Sequence, residues 1–200
     1  MNKIDTIIFD FGGVLVDWNP HYLYDSYFGD TKKTDYFLTD ICTPEWNAQM
    51  DGGKPFADGI AEKIAEHPEY EKEIRMYWTD WKQMMGNQID GMQELLQDLK
   101  TAGYHIYGLS NWSAETFYQI RPKYPIFDLL EGFVLSGDEK CLKPEPKIYT
   151  ILLDRYHINP NTAVFFDDNL ANVEGAKAVG IHGIQFVSAE EIRKELGMTN

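Results

Sequence analysis

The stretch IDTIIFDFGGVLVDWNP, residues 4–20, decides the fold of this 200-residue chain. Four apolar residues flank a single carboxylate at Asp10, and Gly12 and Gly13 follow directly. A short apolar run of this kind predicts a strand that is buried on both faces, as in a parallel sheet. The sequence therefore raises two questions: why a buried strand ends in a carboxylate, and why a glycine stands two places later.

The second half of the chain alternates between strand-like and helix-like segments. The strand-like segments are YHIYGLS (104–110), GFVLSG (132–137), TAVFFDD (162–168) and HGIQFVS (182–188). Amphipathic helix-like segments lie between them. This alternation predicts an α/β fold, a Rossmann-like, doubly wound parallel sheet with helices on both faces. We expect this core to comprise residues 1–16 and 88–200.

The segment between these two parts, residues 17–87, has a different character. Its patterns are helical, with aromatic residues at helical spacing and Gly or Pro breaks, and no convincing strand is present. We therefore predict an inserted α-helical cap over residues 17–87, called the cap segment below. Most of its aromatic residues are expected to pack between helices, and any that faces a cleft could stack on a sugar. These aromatic residues are Trp46, Tyr77, Trp78 and Trp81.

The composition excludes several classes of partner. The formal net charge of −14 argues against nucleic acid or an anionic membrane, because both need clustered Lys and Arg. No apolar run approaches the ~18 residues of a membrane helix, and we expect no signal peptide, because no basic segment leads into an apolar run at the start. Cys42 and Cys141 lie far apart and indicate reduced thiols. We expect a cytoplasmic protein that acts on a small molecule.

Polar residues end several of the predicted strands. Ligands bind beyond the carboxyl ends of the strands in such sheets, so these residues are candidates for a site. Carboxylates that meet there stay ionised only around a cation, and an all-oxygen set without His or Cys favours Mg²⁺. The residues in question are Asp10, Ser110, Asn111, Lys143, Asp167 and Asp168.

These residue types suit the transfer of a phosphoryl group. A bound Mg²⁺ would hold a phosphate oxygen and keep Asp10 ionised, so that Asp10 could attack phosphorus and form an aspartyl-phosphate. Ser110 and the adjacent amides could bind phosphoryl oxygens. Lys143 would neutralise charge and orient Asp10, whereas the neighbouring Lys140 and Lys147 are expected at the surface.

The motifs together resemble the haloacid dehalogenase-like (HAD) superfamily. The four motifs are carried in order by Phe-Asp10-x-Gly-Gly-Val-Leu, Leu-Ser110-Asn111, Lys143-Pro144 and Phe-Phe-Asp167-Asp168-Asn. The helical insertion is similar to the C1 cap of that family. The early Gly-Gly and the Phe-Phe-Asp-Asp-Asn run resemble most a branch that contains bacterial α-glucose-1-phosphate phosphatases. The resemblance thus implies a phosphatase, with hexose 1-phosphate as one expected substrate.

The resemblance also implies roles for individual residues. Asp10 would be nucleophile and metal ligand, with the main-chain carbonyl of Gly12 as a second ligand. Asp168 would be the third ligand, because Asn172 matches the outer acid of the fourth motif. Asp167 would lie next to the metal or bind it through water.

The resemblance assigns the phosphate to a second group of residues. Ser110, Asn111 and Lys143 would hold it, and Lys143 would also count as catalytic beside Asp10.

Gly12 departs from the family pattern. Most phosphatases of the family carry there a second aspartate, which protonates the leaving alcohol and then activates water. Such general acid–base help is commonly worth ~10²–10⁴-fold in rate. Either the substrate has an easy leaving group, such as an anomeric hydroxyl, or another group such as Asp17 or His21 replaces the acid, or the enzyme is not a phosphatase.

Two other functions therefore stay open. Hydrolytic 2-haloacid dehalogenases of the family also lack the second aspartate and work without metal, and they share the Ser-Asn motif. The adjacent acids Asp167 and Asp168 suit Mg²⁺ and suit an anionic haloacid poorly, which favours the phosphatase. A non-catalytic binding protein is less favoured, because nucleophile, lysine and metal acids are all present.

Overall fold

The computed structural model describes residues 3–198 of the chain. The strands in that range are β1 (Thr6–Phe9), β2 (Val16–Trp18), β3 (Met85–Gln88), β4 (His105–Ser110), β5 (Gly132–Leu135), β6 (Ala163–Asp167) and β7 (His182–Gln185). Five of them form one sheet in the order β5-β4-β1-β6-β7, and every pairing in it is parallel. The predicted parallel α/β sheet is confirmed.

The central strand β1 explains why the sequence folds this way. Ile7 and Phe9 pack into the core on one face of the sheet, and Ile8 packs into a second core on the other face. All three side chains are fully buried. A strand with neighbours on both edges and helices on both faces needs a continuous apolar run, which residues 6–9 supply.

Helices cover both faces of the sheet. The α-helices are α1 (His21–Phe28), α2 (Thr31–Tyr36), α3 (Pro44–Asp51), α4 (Phe56–Glu66), α5 (Glu71–Thr79), α6 (Met92–Thr101), α7 (Ala114–Ile120), α8 (Ser136–Glu139), α9 (Pro146–Tyr156), α10 (Leu170–Ala178) and α11 (Ala189–Glu195). Buried residues of α6, α7 and α11 join the core that contains Phe9, and those of α9 and α10 join the core that contains Ile8. Within residues 3–198, no helix has both the length and the apolar character that a bilayer crossing requires.

The cap segment has a strand at each end, contrary to the expectation that it holds none. β2 and β3 pair antiparallel, with Val16 opposite Gln88 and Trp18 opposite Met85. Helices α1 to α5 lie between these two strands along the chain. The pairing was not predicted because β3 reads Met-Gly-Asn-Gln, in which Gly and Asn have low strand propensity. Here a contact between distant segments overrides local preference, and the limits of core and cap stay a prediction.

Candidate active site

Three carboxylates meet at the carboxyl ends of β1 and β6. Asp10 follows β1 directly, and its N–H donates to the Phe166 carbonyl at 2.9 Å, which continues the pairing of the two strands. Asp167 ends β6, and Asp168 is the next residue. Because the strands are parallel neighbours, oxygens of Asp10, Asp167 and Asp168 all lie within 4.8 Å of one another.

Lys143 lies between two of these carboxylates. Its Nζ is 2.9 Å from Oδ1 of Asp10 and 2.6 Å from Oδ2 of Asp167, and it donates to the Leu109 carbonyl at 2.9 Å. The Lys143 side chain is fully buried. Burial opposes its charge, but the charges of Asp10 and Asp167 outweigh this and raise the pKa of Lys143. By contrast, Lys140 and Lys147 are exposed, as expected.

The carboxylate of Asp10, the nucleophile candidate, is buried. Burial raises the pKa of Asp10 to about 7, while Lys143 lowers it and the charge of Asp167 raises it further. Oδ1 of Asp10 also accepts a hydrogen bond from the Phe11 N–H at 2.6 Å. A cation beside Asp10 would favour its ionised form, which is the form that can attack an electrophile.

Asp167 and Asp168 differ in how far their oxygens are already used. Asp167 is fully buried and accepts from the Asn169 N–H at 2.8 Å, from Asn172 Nδ2 at 3.1 and 3.0 Å, and from Lys143. Asp168 is exposed as a residue, but its carboxyl is partly buried, and this partial burial together with the charge of Asp167 raises its pKa. Asp167 is therefore placed to position Lys143, and Asp168 is the more accessible to an incoming cation.

The backbone requires glycine at only one of the two positions after Phe11. Gly13 has a φ of +74°, and a Cβ there would lie 2.6 Å from Oδ2 of Asp168, so any side chain would displace that carboxylate. Gly12 has an ordinary φ, and a Cβ there would meet nothing within 4 Å. Backbone geometry thus requires glycine at residue 13 but not at residue 12.

The donor set fits a hard divalent cation. Three carboxylates and the neighbouring main-chain carbonyls offer only oxygen ligands, which suit Mg²⁺ better than softer metals. The cluster carries a local negative charge that Lys143 only partly balances, so a cation would relieve the remaining repulsion. These observations fit a divalent cation beside Asp10 and Asp168.

Ser110 and Asn111 lie next to the same edge. Ser110 is the last residue of β4 and is 1% exposed. The Asn111 side chain donates from Nδ2 to the Lys143 carbonyl at 3.0 Å and accepts at Oδ1 from the Lys143 N–H at 2.8 Å. The peptide bond between Lys143 and Pro144 is cis. Asn111 therefore fixes the segment that carries Lys143, a role that its predicted contact with phosphate did not include.

A cavity opens beside Gly12, between the cap segment and the edge of the sheet. Its volume is about 120 Å³, and we call it the Gly12 cavity. Polar groups reach it from Asp51, Asn47 and Asn111. Its apolar walls are Trp18, Phe56, Tyr77, Trp81, Met84 and Trp112.

The aromatic residues of the cap segment divide between packing and the cavity. Tyr77 and Trp81 line the Gly12 cavity. Trp46 packs edge-on against Tyr77, with ring centroids 4.9 Å apart, and donates to the Gly59 carbonyl. Trp78 stacks on Phe56 at 4.8 Å. Half of the four thus pack among the helices, and the other half face the space where a ligand could lie.

The two candidates for the missing acid are engaged elsewhere. Asp17 accepts a hydrogen bond from the Tyr22 hydroxyl, and His21 lies 3.2 Å from Asp25. Neither residue is among those that line the Gly12 cavity. The structure therefore does not bring Asp17 or His21 to the place where the expected acid is missing.

One acidic residue that lines this cavity was not identified from the sequence. Asp51 ends α3, and its Oδ1 accepts from the Ser113 N–H at 3.0 Å while Oδ2 accepts from Asn47 Nδ2 at 2.8 Å. Burial raises the pKa of Asp51 to about 7. The available signal was an acid directly before Gly52 and Gly53 at a helix end, but local sequence does not show which surface that end meets.

Comparison with known families agrees with this geometry. A family model described as haloacid dehalogenase-like hydrolase matches residues 4–180. The chain belongs to this family. The HAD resemblance of the four motifs is thereby confirmed, and the chain is classed with hydrolytic enzymes.

Two relatives of the HAD-like chain match along nearly its whole length. A sesquiterpene phosphatase of Aspergillus oryzae is 30% identical over 188 residues, covering 91% of this chain and 89% of the relative. A D-ribitol-5-phosphate phosphatase of Bacteroides thetaiotaomicron is 25% identical over 210 residues, covering 96% and 97%. Both names describe phosphatases, and the compounds they name are chemically very different.

A solved structure shows the same HAD fold. A HAD-family enzyme of Bacteroides thetaiotaomicron, crystallised as a magnesium complex, superposes with a TM-score of 0.75. The match covers 99% of this chain and 100% of the other at 22% sequence identity. At this identity the likeness establishes the fold alone.

Proposed function

We propose that this HAD-like hydrolase is an Mg²⁺-dependent phosphatase of small phosphate monoesters, acting through an aspartyl-phosphate on Asp10. The observation that carries the proposal is the buried ion pair of Asp10 with Lys143, flanked by the exposed carboxylate of Asp168. It combines a nucleophile, a fixed positive charge and an open metal ligand within one site. The two full-length relatives named as phosphatases support it.

The residues of the site would have different roles in the reaction. Both contacts of the Asp10 carboxylate, to the Phe11 N–H and to Lys143, are made by Oδ1, which leaves Oδ2 for attack on phosphorus. Lys143 stabilises the charge that develops on the transferring group. Asp10, Asp168 and the Gly12 carbonyl would hold Mg²⁺, which when bound supplies further positive charge for the phosphoryl oxygens.

Phosphate would be bound where β4 ends. Ser110 ends β4, which pairs parallel with β1, so Ser110 lies beside Asp10 at the same edge of the sheet. Asn111 would contribute by holding the Lys143 segment in place. Removal of Ser110 should therefore weaken substrate binding, while removal of Asn111 should displace Lys143 as well.

The Gly12 cavity constrains the organic part of the ester. A dry cavity of roughly 150 Å³ is known to hold benzene, so a cavity of about 120 Å³ suits a short chain or one face of a ring. Trp81, Tyr77 and the other apolar walls favour an apolar face on that group. A hexose ring presents such a face, and so does a short hydrocarbon, so both belong in the substrate panel.

The first experiment measures phosphate release from p-nitrophenyl phosphate with Mg²⁺ and with EDTA. We expect release that requires Mg²⁺, is abolished in Asp10→Asn, and is unchanged in Asp154→Asn, a matched change on the exposed surface of α9. A panel of glucose 1-phosphate and short-chain alkyl and aryl phosphates would then rank the organic groups. Retained activity in Asp10→Asn would contradict the assignment of the nucleophile.

The haloacid dehalogenase is the alternative that the same experiment addresses. Halide release from 2-haloacids without Mg²⁺, and no phosphate release, would favour it. The acidic cluster of Asp167 and Asp168 argues against this outcome, because it would repel the carboxylate of a haloacid.

A further inference from the structure

We propose that Asp51 of the cap segment is the general acid–base of this enzyme, replacing the side chain that is absent at Gly12. The proposal rests on the phosphatase function above and adds to it a catalytic residue from a different part of the chain. It accounts for how a site without the usual second aspartate could turn over an ester with a poor leaving group.

The position of Asp51 carries the proposal. Asp51 and Gly12 line the same cavity, together with Asn111 beside the predicted phosphate site. Gly12 lies two residues after Asp10 and lines this cavity together with residues of the cap segment, so we expect the leaving group of a substrate bound at Asp10 to extend into it. Asp51 of the cap segment thus lines the same open space as Gly12.

Hydrogen bonds hold Asp51 against the edge of the sheet. The Ser113 N–H donates to Oδ1 at 3.0 Å, Asn47 Nδ2 donates to Oδ2 at 2.8 Å, and the Ser136 hydroxyl donates to the Asp51 carbonyl. Each carboxylate oxygen has a second lone pair that these contacts do not use, so either can carry a proton. The carboxyl is therefore held in place without being blocked.

The environment of Asp51 suits a group that both gives and takes a proton. Burial raises its pKa to about 7, the Ser113 N–H lowers it, and the charge of Asp10 raises it. The titratable groups that face it are Asp10 from the end of β1 and the Tyr77 phenol from α5, whose own pKa is raised by burial, by Cys42 and by Asp51. A pKa near the working pH makes the exchange of a proton efficient in both directions.

The reaction balances with Asp51 in this role. In the first step an Asp10 oxygen bonds to phosphorus, the bond from phosphorus to the ester oxygen breaks, and the Asp51 proton moves to that oxygen. In the second step Asp51 takes a proton from water as the water oxygen attacks phosphorus and the Asp10 carboxylate leaves. The alcohol and phosphate depart, and both aspartates return to their starting states.

The test compares Asp51→Asn with the wild type on two esters. Phenyl phosphate has a poor leaving group, so we expect a loss of ~10²–10⁴-fold, the range typical of a general acid. p-Nitrophenolate departs without a proton, but hydrolysis of the aspartyl-phosphate still needs the base. Asp51→Asn should therefore release about one nitrophenolate per active site in a burst, followed by slow turnover, and show the phosphorylated protein by mass spectrometry.

A control variant and a rescue variant distinguish a catalytic role of Asp51 from a structural one. Glu115→Gln changes another carboxylate that links the two parts of the molecule, since Glu115 Oε1 accepts from the Phe56 N–H at 3.1 Å. It should behave as the wild type on both esters. Adding Gly12→Asp to Asp51→Asn should restore activity on phenyl phosphate, because a Cβ at Gly12 meets nothing within 4 Å.

The outcomes distinguish this proposal from the proposed function. No Mg²⁺-dependent release by the wild type would remove the phosphatase itself. An active wild type whose Asp51→Asn variant shows no burst, no phosphorylated protein and no rescue would give Asp51 a structural role and overturn the proposal. A burst from p-nitrophenyl phosphate but not from phenyl phosphate, followed by slow turnover, together with rescue by Gly12→Asp would establish it.

Discussion

Lys143 and Asp10 form an ion pair inside the protein, with Nζ 2.9 Å from Oδ1 and side-chain exposures of 0% and 11%. Asp167 completes the arrangement at 2.6 Å from the same ammonium group. Two carboxylates thus share one cation, and the remaining negative charge lies next to Asp168. The proposed metal site and the nucleophile are therefore electrostatically one unit, and changes to any member should affect the others.

Replacing Lys143 by Met should destabilise the fold. Loss of one partner of a buried ion pair commonly costs about 3–5 kcal/mol, because the other charge stays buried without compensation. Asp10 and Asp167 can take up protons at lower pH, so the cost should be larger at pH 8 than at pH 5.5. Urea unfolding at both values measures it, with Lys147→Met, an exposed lysine, as control. Equal stability of Lys143→Met and wild type would contradict the importance of this pair.

Asp168 and Asp167 should differ in their effect on Mg²⁺. Asp168→Asn removes the accessible carboxylate, and we expect an at least tenfold weaker apparent affinity for Mg²⁺. Loss of a residue that only hydrogen-bonds to a metal ligand already lowers metal affinity by about tenfold or more. Asp167→Asn should mainly lower stability and rate, because its oxygens are occupied by Lys143, Asn169 and Asn172. Calorimetric titration with Mg²⁺ checks both variants without relying on activity. A larger loss of Mg²⁺ affinity in Asp167→Asn than in Asp168→Asn would make Asp167 the metal ligand instead.

Gly12→Asp alone should be tolerated by the fold. Its φ is ordinary and a Cβ meets nothing within 4 Å, so the thermal midpoint should stay close to that of the wild type. Because Asp51 already supplies the acid in the wild type, the rates on phenyl phosphate and on p-nitrophenyl phosphate should both stay close to those of the wild type. Gly13→Asp offers a contrast, since a side chain there meets Asp168 and needs a φ of +74°. A large gain on phenyl phosphate in Gly12→Asp would count against Asp51 as the acid of the wild type.

Asp51 should make stability depend on pH in a defined direction. Its pKa is raised from 3.8 to about 7 in the folded protein, so between these values the folded state binds more protons than the unfolded state. Stability from this group is present below pH 4 and is lost as the pH rises towards 7. The thermal midpoint of the wild type relative to Asp51→Asn, measured in EDTA, should therefore fall from pH 4.5 to pH 8. A difference that is constant with pH would contradict the raised pKa.

The sequence alone predicted the sheet and most residues at its edge. Apolar strands alternating with amphipathic helices define a parallel sheet, and parallel strands place their carboxyl ends together. For this reason Asp10, Ser110 and Asp167 could be expected at one edge, and the structure places them there. The antiparallel pairing of β2 with β3 was not predictable, because Gly86 and Asn87 show no local preference for a strand.

The sequence by itself determined the α/β fold, the order of the strand-end motifs and the departure at Gly12, because these follow from local periodicity and composition. Only the tertiary structure decided that Asn111 fixes the Lys143 segment, that Asp17 and His21 lie away from the cavity, and that Asp51 reaches it. The physical reason is that the end of α3 lies against the segment after β4, where Asp51 accepts a hydrogen bond from the Ser113 N–H. A contact between segments so distant in the chain depends on how the helices pack, which no local pattern encodes.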